Sequence, residues 1–282
     1  RRVPNLGSSV MILAIAILCV GGQRSNADIE ARRHNAAYFS PTMERMMRAT
    51  DKELLGYAGS LQPEMRGAAV SEIVDRKLKS AAPVLAKQLD PAAKDRNIKG
   101  TLQALTISAL GRLRNPAAIP ALRKTLKDEI LGTRIASAYA LANLNDKASA
   151  AGIRALFPKM KEPMLIPLVR KLGEFKDKPS EPTIRNVLLH AHYNALRAVA
   201  AESLGQIRAP QSLNALLVGL KDDYPDVRCA SANALAKLGD PRAVPALKIA
   251  LAETSPQSAN APQKERESKA AIEEALKVLA AG

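Results

Sequence analysis

Leucine recurs at an almost constant interval through the middle of the chain. Five leucines are separated by 31, 31, 32 and 31 residues, and each is followed by glycine or alanine. The five pairs are Leu110-Gly111, Leu141-Ala142, Leu172-Gly173, Leu204-Gly205 and Leu235-Ala236. A fixed period of this length is typical of arrays in which each repeat is one supersecondary unit.

A turn and a second apolar stripe follow each of these leucines at constant distances. The turn positions are Asn115, Asp146, Asp177, Ala209 and Asp240, and proline follows three of them, which is a turn signal. Apolar residues then recur at i and i+4, as on one face of a helix: Leu122 and Leu126, Ile153 and Phe157, Ile184 and Leu188, Leu216 and Leu220, Leu247 and Leu251. Each repeat is therefore predicted to be a helix A, a short turn and a helix B.

The pattern extends upstream to Leu85 and Leu89, where the spacing to the next repeat is 37 residues. Neither helix of such a repeat can bury its apolar face alone, so neighbouring repeats must stack. Small residues in helix A are expected to allow close helix approach. We call the residues that occupy the same place in successive repeats a column.

Two stretches carry a family resemblance. Residues 227–247, VRCASANALAKLGDPRAVPAL, and residues 109–122, ALGRLRNPAAIPAL, resemble HEAT repeats of the phycobilisome-lyase type. The resemblance covers about residues 62–252. It implies an all-α fold, a right-handed α-solenoid of about six stacked HEAT-like helix pairs with capping helices at both ends. It says little about function, because such repeats occur in lyases, hydroxylases, adaptors and scaffolds.

The predicted organisation has four parts. Residues 1–27 form a signal peptide, 28–61 a leader with N-terminal capping helices, 62–254 the HEAT-repeat array, and 255–282 a linker with a C-terminal capping helix. A capping box at Thr50 and Glu53 opens one of the N-terminal helices.

The signal-peptide prediction depends on an apolar run at residues 10–20, which suits an export signal and is too short to span a bilayer. Small residues before Asp28 suit a cleavage site. We therefore expect an exported protein of the periplasm, envelope or extracellular space, without a stable membrane span after cleavage. An uncleaved membrane anchor is the alternative.

Composition excludes several classes of protein. The chain is 47% hydrophobic but only 3% aromatic, which favours helices packed through Ala, Leu, Ile and Val and disfavours the ring platforms that bind single-stranded nucleic acid. Two cysteines, Cys19 and Cys229, cannot form a disulfide framework. The net charge is +15, and it becomes +12 if cleavage removes Arg1, Arg2 and Arg24.

No catalytic or metal motif stands out. None of His34, His190 and His192 precedes a glutamate, so the His-Glu iron ligands of HEAT-type hydroxylases are absent. The pair His190 and His192 could converge on a metal only in an extended segment or a turn, and a solvated loop between repeats is the preferred interpretation. We expect no cofactor, no metal and no enzymatic activity, and we interpret Cys229 as a packed structural residue.

Two sets of cations recur on the B helices. Immediately after the first apolar position of helix B lie Arg123, Arg154, Arg185 and Lys248, interrupted by Ala86 and Leu217; we call this the basic column. Lys87 and Lys124 occupy the next column. The resemblance implies that B helices line a concave surface, so these six residues are the candidate partner-binding residues. The alternative is that they only solvate exposed helix faces.

Arginine also recurs early in helix A, in a column for which similar repeats imply a structural role. Its members are Arg66, Arg134, Arg197 and Arg228.

These observations favour a non-enzymatic scaffold that binds a protein partner, with an acidic partner as one option, through the concave face formed by the B helices. The alternative is a binder of polyanions, nucleic acid or acidic polysaccharide, through a basic ladder. A lyase or lyase subunit resembling the bilin-lyase HEAT family is the weaker third possibility.

Overall fold

A computed structural model describes residues 41–60, 62–89, 101–253 and 262–280. The described residues contain fifteen α-helices and no β-strand. The helices are α1 (Pro41–Arg48), α2 (Asp51–Ala58), α3 (Pro63–Asp75), α4 (Ala82–Lys87), α5 (Thr101–Leu113), α6 (Ile119–Thr125), α7 (Leu131–Asn143), α8 (Ala150–Arg154), α9 (Glu162–Glu174), α10 (Glu181–His190), α11 (Asn194–Ile207), α12 (Leu213–Gly219), α13 (Pro225–Leu238), α14 (Val244–Glu253) and α15 (Gln263–Ala280).

The predicted helix pairs are confirmed, and the fold is an all-α solenoid. The A helices are α3, α5, α7, α9, α11 and α13, and the B helices are α4, α6, α8, α10, α12 and α14. The predicted signal peptide, the leader as far as residue 40 and almost all of the linker lie outside the described residues. None of the described helices has the length and apolarity needed to cross a membrane.

The chain divides into two compact units, an N-terminal unit (1–152) and a C-terminal unit (153–282). In the N-terminal unit α5 packs against α7, and in the C-terminal unit α9, α11, α13 and α15 pack in succession. B helices contact the A helix that follows them, as α12 contacts α13. The two predicted apolar stripes are therefore buried within stacked helix pairs.

Glycines in the A helices allow this close stacking, as predicted. A Cβ added to Gly111 would lie 2.7 Å from Cα of Ala140 in the next A helix. The same 2.7 Å separates an added Cβ on Gly205 from Cα of Ala234. Only a residue without a side chain fits at these backbone contacts. The low aromatic content follows from this geometry, because the facing residues are also small.

The turn between helices A and B has a feature that the sequence columns did not reveal. The fourth residue after each repeated leucine has a positive φ, which ends helix A in the left-handed conformation. The column begins one repeat earlier than the leucines and consists of Lys77, Arg114, Asn145, Lys176, Arg208 and Gly239. A short 3₁₀ turn then leads into each B helix. Only one of the six residues is glycine, so five repeats adopt this conformation with a side chain present.

Both ends of the described chain pack on the repeats. At the N-terminal end, Thr50 and Glu53 form the predicted capping box, in which the Glu53 carboxylate accepts from the Thr50 backbone N–H at 2.7 Å. Helices α1 and α2 pack on α3. At the other end, α15 packs on α13 and α14, in the position of a further A helix.

Candidate functional site

All six candidate binding residues lie on B helices. Lys87 is on α4, Arg123 and Lys124 are on α6, Arg154 is on α8, Arg185 is on α10 and Lys248 is on α14. Lys87, Lys124 and Lys248 are exposed, whereas Arg154 and Arg185 are partly buried. The structure separates the six into residues that bind their own chain and residues that face solvent.

Two arginines of the basic column are held by the turn of the next repeat. Arg123 donates to both carboxylate oxygens of Asp146, from Nε at 2.8 Å and from a terminal nitrogen at 2.5 Å. The hydrogen bond to Asp146 raises the pKa of Arg123 above its ordinary value. Arg154 donates from one terminal nitrogen to a single carboxylate oxygen of Asp177, and the same nitrogen donates to Oγ of Ser180 at 3.2 Å. Each arginine is 23 residues before its aspartate.

The turn residue behaves differently where the preceding B helix has no arginine. In the repeat after Ala86, the side chain of Asn115 accepts from the backbone N–H of Ala117 at 3.0 Å and so caps its own 3₁₀ turn. In the repeat after Leu217, Asp240 caps its own turn through Arg242 N–H, also at 3.0 Å. Two residues of the basic column, Arg123 and Arg154, thus connect neighbouring repeats by ion pairs. This role was not predicted from the sequence. The signal was present as the equal 23-residue spacing from Arg123 to Asp146 and from Arg154 to Asp177.

Arg185 is the exception in the basic column. The turn position that follows its repeat is Ala209, which has no carboxylate. Arg185 instead approaches the backbone oxygen of Gln211 at 3.5 Å, and its Nε lies 3.7 Å from the carboxylate of Glu181. Its side chain is 39% exposed.

The lysines of the N-terminal unit border a shallow groove between α4 and α6. The groove has a volume of about 310 Å³. It is lined by Pro83, Ala86, Lys87, Leu89, Ala117, Pro120, Ala121 and Lys124. Neither Lys87 nor Lys124 forms a salt bridge with a carboxylate in the part of the chain that the structure describes. The groove therefore combines an apolar floor with two positive charges that no described carboxylate pairs with.

The column that contains these lysines changes chemistry along the chain. Its members are Lys87, Lys124, Ala155, Asn186, Val218 and Ile249, and we call it the outer column. All six are exposed, and Val218 and Ile249 are 58% and 53% exposed although they are aliphatic. The N-terminal unit thus presents cations in this column, and the C-terminal unit ends it with apolar residues.

The arginine column in helix A has the structural role that the resemblance implied. Each of its four arginines donates to the backbone oxygen six residues earlier, at the turn from helix B to helix A. The distances are 2.7 Å from Arg66 to Ser60, 2.8 Å from Arg134 to Asp128, 2.9 Å from Arg197 to Ala191 and 2.8 Å from Arg228 to Asp222. These bonds satisfy carbonyl groups at the helix ends.

Arg197 also forms a two-point ion pair with Asp222, at 2.7 and 2.9 Å. Burial alone would raise the pKa of Asp222, but the hydrogen bonds from Arg197 and from the Tyr224 backbone N–H outweigh it and hold the pKa below its ordinary value. The guanidinium lies over the Tyr224 ring, 5.6 Å from its centre. This cluster fixes the turn between two repeats.

Of the two described histidines, His190 is the last residue of α10 and His192 lies in the exposed loop that follows it. His192 is 96% exposed. Its backbone N–H and that of Tyr193 donate to the carboxylate of Glu162, at 3.1 and 2.8 Å. These backbone bonds lower the pKa of Glu162. Glu162 therefore holds the beginning of the next A helix.

The remaining chemical candidates are possible metal ligands and the thiol of Cys229. Within the described ranges, no group of three or more His, Cys, Asp or Glu side chains is placed to hold a metal ion. Cys229 is a half-buried free thiol. Burial raises its pKa, with nearby acidic groups adding to the effect, and so disfavours the reactive thiolate.

Comparison with known proteins identifies the repeats. The sequence matches the family model for HEAT repeats over residues 92–165 and 181–261, which together make up more than half of the chain. No curated protein matches it.

Solved structures share the fold at low sequence identity. YIBA of E. coli is 13% identical with a TM-score of 0.57, over 98% of this chain and 99% of the other. An engineered protein is 15% identical with a TM-score of 0.55, over 98% and 89%. The complex of CpcE and CpcF of phycocyanin lyase from Nostoc sp. PCC7120 is 19% identical with a TM-score of 0.48, over 82% and 95%.

Proposed function

The chain belongs to the HEAT-repeat family, and we propose that it is a non-enzymatic scaffold whose B-helix surface binds an acidic segment of a protein partner. Stacked repeats present a series of similar side chains at regular intervals, which suits recognition of an extended segment. Among the proteins with related folds, one is named as a complex of two lyase proteins, CpcE and CpcF. The absence of a catalytic motif in the sequence supports binding over chemistry.

The observation that carries the proposal is the groove between α4 and α6. Its floor is made of small apolar residues and prolines, and Lys87 and Lys124 stand at its border. An apolar floor gains free energy from covering aliphatic side chains, and the lysines attract carboxylates at longer range. The complementary ligand is therefore a peptide segment that carries both aliphatic and acidic residues.

The same charges argue against a long polyanion as the main ligand. Such a ligand needs many unpaired cations in a row, because its affinity comes from the release of counterions. In the basic column, Arg123 and Arg154 already bind Asp146 and Asp177. The outer column changes from lysine to Val218 and Ile249 instead of remaining basic.

The test measures binding of a fluorescein-labelled peptide of alternating Glu and Leu by fluorescence anisotropy at low salt. Lys87→Glu/Lys124→Glu is the test variant, and Lys52→Glu/Lys147→Glu is its control. All four lysines are exposed residues of the N-terminal unit, and both variants change the net charge equally. We expect the test variant to lose about tenfold or more in affinity and the control to retain most of it.

Two outcomes would contradict the proposal. One is equal loss in the test and control variants, because it would show that only net charge matters. The other is tighter binding of heparin or a DNA oligonucleotide than of the peptide, with the same dependence on Lys87 and Lys124, which would establish the polyanion alternative.

We also propose that the protein is exported, on the strength of the apolar run at residues 10–20 and the small residues before Asp28. Expression in a bacterial host, followed by mass spectrometry of the N-terminus, tests this proposal. A mature N-terminus at Asp28 in the exported fraction supports cleavage. An intact N-terminus in the membrane fraction supports the anchor instead.

A further inference from the structure

We propose that Arg185 is a binding point for a carboxylate of the partner segment, in the place that the protein's own aspartate occupies in two other repeats. The proposal deepens the proposed function by naming a contact in the C-terminal unit. It does not depend on the groove between α4 and α6. It follows from comparing Arg185 with the equivalent residues Arg123 and Arg154.

The basic column contains three arginines, and two of them bind a carboxylate from the turn that follows. Arg123 binds Asp146, and Arg154 binds Asp177. The equivalent turn residue for Arg185 is Ala209, a buried residue whose methyl group cannot accept a hydrogen bond. The repeat thus retains the guanidinium and lacks the carboxylate.

The contacts that Arg185 does make leave most of its donors available. A guanidinium has five N–H donors in a planar fork that matches the two oxygens of a carboxylate. Among the described residues, Arg185 has one long hydrogen bond, to the Gln211 backbone oxygen at 3.5 Å. The carboxylate of Glu181 lies 3.7 Å from Nε and accepts instead from Oγ of Ser212 at 2.9 Å. Glu181 therefore offsets part of the charge without forming the two-point pair.

The surroundings of Arg185 favour a peptide carboxylate over a free anion. Helix α10 packs against α12, the next B helix, in the C-terminal unit. On α12 the basic column is occupied by Leu217, and the following residue is the exposed Val218. A segment that places Asp or Glu at Arg185 can place an aliphatic side chain at Val218. This is the same mixed chemistry that the groove of the N-terminal unit favours.

The chain itself suggests a competitor for the site. Ala209→Asp introduces the aspartate that Arg123 and Arg154 bind in the next repeat. The new carboxylate should therefore form an intramolecular ion pair with Arg185 and block the site. Arg185→Gln removes the guanidinium instead. The two variants are expected to have the same effect on ligand binding and opposite effects on stability, which a general disturbance of the fold would not produce.

The first measurement follows the arginine Nε–H resonances by NMR while the Glu-Leu peptide is added in large excess. The Arg185 resonance is assigned by its absence from the Arg185→Gln spectrum. We expect it to shift on titration, whereas the resonances of Arg123 and Arg154 stay in place. In Ala209→Asp the Arg185 resonance should be displaced at the outset and should no longer respond. Absence of a response in the unmodified protein, or an equal response in Ala209→Asp, would overturn the proposal.

The second measurement is the thermal midpoint of unfolding of both variants and of their combination. Ala209→Asp is expected to raise it, and the gain should vanish in Ala209→Asp/Arg185→Gln because the pair is then incomplete. If the gain survives in the combination, the new carboxylate only caps its own turn, as Asp240 does. That result would contradict the geometry on which the proposal rests.

These results separate the two proposals. If Lys87→Glu/Lys124→Glu abolishes peptide binding and Arg185 does not respond, the groove stands and the carboxylate site fails. If Arg185 responds and the lysine variant binds normally, the carboxylate site stands and the groove fails.

Discussion

The A helices of this protein keep the same residue types from repeat to repeat, whereas the exposed outer column of the B helices changes. In the A helices, the buried leucine column and the left-handed residue that follows the helix recur in repeat after repeat, and the arginine that closes the turn is present in four of the six A helices. In the B helices the inward stripe is equally constant, but the outer column runs from Lys87 to Ile249 with a change of chemistry. The constant positions are those that hold neighbouring repeats together. The variable positions are exposed, so their side chains can contact a ligand.

The physical reason is the number of neighbours at each position. Within each unit, A helices pack against neighbouring A helices and against a B helix, so almost every side-chain change in an A helix alters a contact. An outer-column residue on a B helix faces solvent, where most substitutions change stability little.

Acidification should loosen the turns that connect B helices to A helices. The pKa values of Glu162 and Asp222 are lowered in the folded protein. Their contribution to stability is therefore complete above the unfolded pKa, near 4, and is lost as the pH falls through the folded pKa. We expect the urea midpoint to fall steeply below about pH 4. Asp222→Asn should be less stable at neutral pH and should lose less on acidification, whereas Glu273→Gln, an exposed change on α15, should follow the parent protein.

A methyl group in the A-helix contact should destabilise the N-terminal unit. In Gly111→Ala, the added Cβ meets the backbone of Ala140, which cannot move aside as a flexible side chain would. The expected cost is roughly 1–3 kcal/mol in the free energy of unfolding. Gly67→Ala is the matched control, because it lies on another A helix of the same unit and its added Cβ has only ordinary contacts, the nearest at 3.8 Å. Denaturant unfolding should show a loss for the first variant and no loss for the second. Equal effects would refute the close-contact explanation.

Substitutions at the residues of positive φ that follow the A helices should either raise or lower stability, depending on whether glycine is introduced or removed. Lys176 has φ of 53° and Gly239 has φ of 75°. Lys176→Gly should stabilise the protein by up to about 1 kcal/mol, and Gly239→Ala should destabilise it by about 1 kcal/mol, because side chains disfavour this conformation. Unfolding midpoints measure both effects. A loss in the glycine variant would show that the Lys176 side chain contributes more than its backbone strain costs.

Substitution in the outer column should have the smallest effect on stability. Val218→Lys and Ile249→Lys place a charge at positions that are more than half exposed. We expect each to change the free energy of unfolding by less than about 0.5 kcal/mol. Unfolding midpoints should therefore coincide with that of the parent protein. A larger loss would show that these side chains are packed in solution and that the contrast between A and B helices is overstated.

The helix pairs were predictable because burial requires apolar residues at a helical period, and this period can be read directly from the amino-acid sequence. Leu110 and Gly111 signalled a buried stripe and a close contact, and both are present. The left-handed residues were missed because Lys176 and Arg208 carry no trace of their conformation. The role of Arg123 was missed because a cation in a column looks the same whether it faces a ligand or an aspartate of its own chain.

The sequence by itself determined the all-α repeat architecture, because the burial of apolar side chains depends on spacing along one chain. Only the tertiary structure decided which cations are available. Stacking brings Asp146 to Arg123 and Asp177 to Arg154, whereas the equivalent turn residue for Arg185 is an alanine. Ion pairing depends on distances of a few ångströms between residues in different repeats, and those distances exist only once the repeats have packed.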